Sequence, residues 1–191
     1  MSSSPAPYLR SPSLLNRHDS RLLIVDMQDR ILPVIGNSDA VLSNCLRLVE
    51  GAQVLQVPVT ATEQYPKGLG STNVGLARLL PHRLEKLRFS SAEVLNWGTA
   101  AEDTSGRFRV VVAGIETHVC ILQTVFDLLA AGFEVHVPAD AVGSRVEANR
   151  QVALERMALG GAVITTTESV LLEWCEVAGT AEFKQISQLI R

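Results

Sequence analysis

From Arg21 onward the chain alternates short apolar runs with stretches of helical periodicity, and this rhythm leaves few folds open. The runs are 21–26 (RLLIVD), 57–62 (VPVTAT), 84–89 (LEKLRF), 108–114 (FRVVVAG), 133–137 (FEVHV) and 162–166 (AVITT). A strand with little polar alternation must be covered on both faces, and the segments between these runs supply the covers. The expected architecture is α/β: a three-layer αβα sandwich around a six-stranded, mostly parallel, doubly wound sheet. At 191 residues and 47% hydrophobic content, the chain can bury one such core but is short for two. A single domain is expected over residues 19–191, preceded by a partly ordered tail over residues 1–18. That tail carries three prolines, five serines and no acid, which would also suit organelle targeting, although the prolines oppose an amphipathic helix.

Helix boundaries are locally encoded. Val41, Cys45, Leu48, Ala52 and Leu55 recur at spacings of four, three, four and three, the stripe of a helix lying on a sheet. This makes Cys45 a core residue. Ser144 with Glu147 reads as a capping box opening a helix that ends near Gly160 and Gly161, and Thr165 with Glu168 reads as a second. The segment 63–82 is rich in proline, glycine and polar residues and reads as a long loop followed by a short helix.

Composition removes several functions. A net charge of -3 with scattered Lys and Arg leaves no basic stripe for a phosphate backbone, so no nucleic-acid partner is expected. The apolar runs are strand-length, well short of the ~20 residues that span a bilayer, so no membrane association is expected. Three cysteines without a CxxC pair provide neither a disulfide framework nor a zinc ribbon, and a reducing, cytoplasmic setting fits. GLGST at 68–72 is not a dinucleotide fingerprint, and no GxxxxGK[ST] string occurs.

In an open parallel sheet, ligands bind beyond the carboxyl ends of the strands. Asp26 closes the run LLIVD at such an end, where it is either a site acid or a turn residue. A phosphoaspartate hydrolase would carry a second Asp two residues later, and here that residue is Gln28. Cys120 follows a buried strand in AGIETHVC, with Thr117 as the natural N-cap. A sulfur at a helix start meets unpaired N–H groups and a positive dipole, which favour the thiolate. Without partners it would be a small buried hydrophobe. Lys86 interrupts the apolar alternation of EKLRFSS and faces either solvent or a polar site. Beside Asp26 and Cys120 it would hold both in their charged forms.

The strings VDMQ at 25–28, TEQYPKGLG at 62–70, EKLRFS at 85–90 and GIETHVC at 114–120 resemble the isochorismatase-like cysteine hydrolases, especially their metal-free, YcaC-like and isochorismatase-domain-containing branch. The resemblance covers residue 14 to the end. It implies a catalytic triad of Asp26 as general base, Lys86 as its charge partner and Cys120 as nucleophile, attacking a carbonyl to form a thioester that water hydrolyses. It also implies a cis peptide between Ile115 and Glu116, and an oxyanion hole formed by the backbone N–H groups of Glu116 and Cys120.

Relatives with a catalytic metal carry Asp and several His ligands after the second strand, whereas residues 60–70 hold neither, so no metal and no cofactor are expected. The aromatic residue that nicotinamidase-like relatives place five positions after the Asp is Ile31 here. Pocket-lining candidates are therefore Gln28, Ile31, Tyr65, Phe89, Trp97 and His118. The expected activity is hydrolysis of a small amide, carbamate or ureide. The alternative is a catalytically silent scaffold. A homo-oligomer is expected in either case, with Trp174, Phe183, Ile186 and Leu189 available to an interface or to the core.

Overall fold

The computed structural model describes residues 8–191. Its sheet contains β1 (Ser20–Val25), β2 (Val59–Gln64), β3 (Leu84–Lys86), β4 (Arg109–Ile115), β5 (Glu134–Pro138), the two-residue β6 (Val142–Gly143) and β7 (Val163–Thr165). The order is β3-β2-β1-β4-β5-β7, with β6 pairing the end of β4, and every pairing is parallel. The helices are α1 (Ser38–Val54), α2 (Pro66–Leu69), α3 (Val74–Leu79), α4 (Ala92–Leu95), α5 (Leu122–Ala130), α6 (Glu147–Leu159), α7 (Thr167–Cys175) and α8 (Ala181–Leu189).

The period of two along a strand divides its side chains between two cores. Leu22 and Ile24 of β1, with Val111 and Ala113 of β4, meet α1, α3, α7 and α8 on one face. Leu23 and Val25, with Val110 and Val112, meet α4, α5 and α6 on the other. The whole predicted stripe of α1 is buried, and the Cys45 thiol donates to the Ala141 carbonyl at 3.6 Å. Trp174 and Ile186 are buried in the same core with Leu189 packed against it, so these residues are occupied within the chain, while Phe183 is half-buried.

Several local expectations shift. β2 runs two residues beyond the predicted end, because Glu63 and Gln64 pair in register with Glu85 and Lys86 of β3. β3 ends at Lys86, three residues early, because the chain curls so that the Arg88 and Phe89 carbonyls face the Lys86 ammonium. The expected loop after β2 contains two short helices, α2 and α3. Ser144 caps nothing: α6 opens from Val146, and the Ser144 hydroxyl pairs with His118 instead. The cap of α7 is Thr166, one residue later than predicted, and it accepts from Ser169 N–H.

The N-terminal segment is described from Tyr8 on. Arg107 donates to the Arg17 and Ser20 carbonyls, Arg109 to Pro12 and Asp19, and Arg10 to Leu15 and Glu173. No helix among the described residues is long and apolar enough to cross a membrane.

Candidate active site

The site lies at the carboxyl end of the sheet, beyond the ends of β1 and β4. A Cβ on Gly114 would stand 2.1 Å from the Val25 carbonyl oxygen, so only glycine fits there. One residue past Val25 the backbone of Asp26 turns left-handed, at φ 54°, a conformation that Asp tolerates better than most side chains. Its carboxylate is buried and held from two sides: Thr62 donates to one oxygen at 2.8 Å and Lys86 to the other at 2.7 Å.

Lys86 is buried as well. Its ammonium also donates to Gln64 Oε1 at 2.7 Å and the Phe89 carbonyl at 2.8 Å, so its three protons are all placed. Gln64 is fixed in turn by Leu87, which accepts from its side-chain amide at 2.7 Å, and by Gln28, which accepts from its backbone N–H at 2.7 Å. A buried ion pair is stable only when its remaining hydrogen-bonding capacity is met, and this shell meets it.

Cys120 reaches the same point from β4. The Ile115–Glu116 peptide is cis, and the following helix opens with a single π turn, Thr117–Ile121, in which Ile121 N–H reaches the Glu116 carbonyl at 3.2 Å. Such turns often mark functional sites. The cap is Glu116 rather than Thr117, whose buried hydroxyl has no partner among the described residues, so Cys120 sits one position deeper than the sequence implied. The Cys120 thiol feels the charges of both Asp26 and Lys86. A polar relay closes the circle behind them: Thr62 meets Ser91 Oγ at 3.2 Å, Ser91 N–H donates to Thr124 Oγ1 at 2.8 Å, and Thr124 donates to the Cys120 carbonyl at 2.6 Å.

Electrostatics correct one expectation. Burial, reinforced by the Asp26 charge and opposed by Lys86, pushes the Cys120 thiol up to about 12. The helix start does not make a resting thiolate, because desolvation outweighs its partial charge. Burial likewise holds the Asp26 carboxyl above its ordinary range, although Lys86, Cys120 and Thr62 all act to lower it. The thiol is thus neutral at rest, and the Asp26 carboxyl beside it binds a proton more tightly than a free carboxyl does.

A cavity of about 80 Å³ opens onto Asp26 and Cys120. Its walls include Ile31 and Phe89, as anticipated, together with Leu69, Ile115 and Val119. Four other candidates stand elsewhere. Gln28 is fully buried behind the site, donating to the Gln64 and Gly70 carbonyls. Tyr65 is half-exposed and lines a neighbouring groove of about 530 Å³ with Lys67 and Leu87. Trp97 packs against Phe133 beneath the Arg21 guanidinium at the opposite end of β1, because the loop from α4 runs to that end of the sheet. His118 turns away to Ser144, at 3.1 Å. Glu116 does border the cavity, with its carboxylate held by Arg145 at 3.1 Å.

Thr62, Gln64, Ser91 and Thr124 escaped the sequence reading. Thr62 and Gln64 end β2 and carried the same signal as Asp26, polar residues at the carboxyl end of a strand. Ser91 and Thr124 carried none. Among the described residues, no group of three His, Cys, Asp or Glu side chains is placed to hold a metal ion.

Comparison with known proteins places the fold. Residues 20–169 match the isochorismatase domain. Isochorismatase domain-containing protein 1 of Danio rerio is 43% identical over 87% of this chain, which spans only 59% of that relative's length. The MAR1 ribonuclease of Caenorhabditis elegans is 34% identical, with a TM-score of 0.85 over 93% of this chain and 92% of its own. The YcaC gene product of Escherichia coli, described as an octameric hydrolase of unknown specificity, shares the fold at TM-score 0.84 and 23% identity, over 95% of this chain and 92% of its own. The chain therefore belongs to the isochorismatase-domain family and has its hydrolase fold.

Proposed function

We propose that the protein is a metal-independent cysteine hydrolase that cleaves the C–N bond of a small amide, carbamate or ureide through a thioester on Cys120. The observation that carries this reading is the meeting of a neutral thiol, a proton-hungry carboxylate and a fully engaged ammonium at the mouth of one small cavity. Sulfur bonds to the substrate carbonyl carbon as Asp26 accepts the thiol proton, so no free thiolate need accumulate. The carbonyl oxygen takes up the displaced electron pair and lies by the N–H groups of Glu116 and Cys120, a role taken from the family resemblance. The Glu116 N–H suits it, having no acceptor among the described residues. Collapse expels the amine, which leaves with the proton from Asp26. Water, deprotonated by Asp26, then attacks the thioester, releasing the acid and restoring the thiol. Lys86 keeps Asp26 oriented and charged between these transfers.

Intact-mass measurement across a panel of amides, carbamates and ureides tests this directly. The expected result is a covalent adduct that maps to Cys120 and is lost in Cys120→Ala. Hydrolysis that persists in Cys120→Ala would refute the nucleophile. An absence of adduct and turnover across the panel would favour the silent scaffold. Because several structural relatives bear a ribonuclease name, RNA belongs in the panel. No cleavage is expected, since Lys86 is buried and Arg145 already serves Glu116, leaving the cavity no free cation for a phosphate.

We extend the reading to setting and assembly. Three free cysteines support a reducing cytoplasm. The open edge at β3, where Leu84 and Leu87 are exposed, supports a homo-oligomer, which light scattering would measure.

A further inference from the structure

The cavity beside Cys120 narrows the substrate class further, and this inference rests on the hydrolase reading above. Pockets for drug-sized ligands run to roughly 300–1,000 Å³, against about 80 Å³ here. A space this far below that range takes a group of only a few heavy atoms. Beyond Cys120, Asp26, Glu116 and Gln64, whose amide is engaged by Lys86 and Leu87, the walls are hydrocarbon: Ile31, Leu69, Phe89, Ile115 and Val119. Both acids that touch the cavity are neutralised from outside it, Asp26 by Lys86 and Glu116 by Arg145. The Lys86 ammonium is committed to its protein acceptors and fully buried, so it has no proton to offer a substrate anion. A carboxylate entering here would lose its hydration and find two other carboxylates.

From this geometry we infer that the acyl side of the substrate is uncharged, aliphatic and only a few heavy atoms long. A short aliphatic primary amide has this chemistry, whereas anionic and ring-bearing acyl groups do not. Phe89 sets the size limit. Its ring borders the cavity while half of it faces solvent, so it is the wall that a longer acyl chain would have to displace.

Alkylation of Cys120 tests the pocket without requiring turnover. Iodoacetamide, iodoacetate and N-phenyl iodoacetamide are offered separately at pH 9, and labelling of the Cys120 peptide is compared with that of a free thiol. The expected result is a preference for iodoacetamide over iodoacetate at least about tenfold above that of the free thiol, because the anion must shed its water to enter. A similar preference is expected over the N-phenyl reagent. Phe89→Ala should abolish the discrimination by size and keep the discrimination by charge. Labelling by iodoacetate or the N-phenyl reagent as fast as by iodoacetamide, or no labelling of Cys120 by any of the three, would overturn the assignment. Selective labelling without hydrolysis of any amide, carbamate or ureide in the panel would instead remove the catalytic reading and leave the pocket's selectivity standing.

Discussion

Two regions of this molecule bury a thiol, and they treat it differently. In the helical layer, Cys45 packs under α1 against Ala141, and burial raises its thiol well out of the physiological range, with Asp140 adding to the shift. At the carboxyl end of the sheet, Cys120 is nearly as buried, and its thiol is also raised. The difference is what lies within reach. Cys45 has a carbonyl to donate to, whereas Cys120 has a carboxylate that wants a proton and a space for a carbonyl carbon. In the proposed mechanism, reactivity comes from a placed base and room for substrate rather than from a low thiol pKa.

The sharpest way to break this contrast is to delete each sulfur. Cys120→Ala should abolish turnover with a stability change within about 1 kcal/mol, because the cavity already borders the site. Cys45→Ala should keep turnover and cost about 1–2 kcal/mol through the void it leaves. Urea denaturation and steady-state rates separate the two, and a rate loss of more than tenfold in Cys45→Ala would mean that α1 shapes the site. Lys86→Met should lower stability by about 3–5 kcal/mol at neutral pH, since it strands a buried carboxylate that Thr62 alone cannot satisfy. A loss under about 1 kcal/mol would show that Asp26 carries a proton at rest and does not depend on its partner.

How much of this could be read in the sequence depended on whether a signal was local. The order of strands and helices was legible because each apolar run has to be buried on both faces, and β1 and β4 are nearly uninterrupted runs. Asp26 was legible as a polar residue at a strand's end, and Lys86 as a charge within a strand-like alternation. Their distance was not, because it depends on β3 lying two strands from β1, with β2 between. The resemblance supplied that missing adjacency. Trp97 and His118 were misplaced for a related reason: an aromatic or imidazole in a loop carries no record of which end of the sheet the loop visits. The direction of the Cys120 shift was misread because the helix start is visible in sequence while the depth of burial is not.

The smallest expected effect probes the base itself. Below the folded pKa of Asp26 the carboxyl already holds a proton and cannot accept one from the thiol, so the rate should fall as pH drops through that value. Because burial raises Asp26, the acid limb should lie above the ordinary carboxylate range, and the rate should then stay level at higher pH. A preformed thiolate nucleophile would behave oppositely, with a rate that climbs toward the thiol's value of about 12. Thr62 acts on this limb through Asp26 and not on the substrate. Its hydroxyl favours the charged carboxylate, so Thr62→Val should let Asp26 rise further, moving the acid limb to higher pH. The plateau rate should drop by no more than about ten- to hundredfold, the worth of one hydrogen bond to a charged group. A plateau that fell while the limb stayed in place would assign Thr62 to packing alone. The limb would move with an intact plateau only if the relay through Ser91 and Thr124 held the Cys120 backbone in register without it.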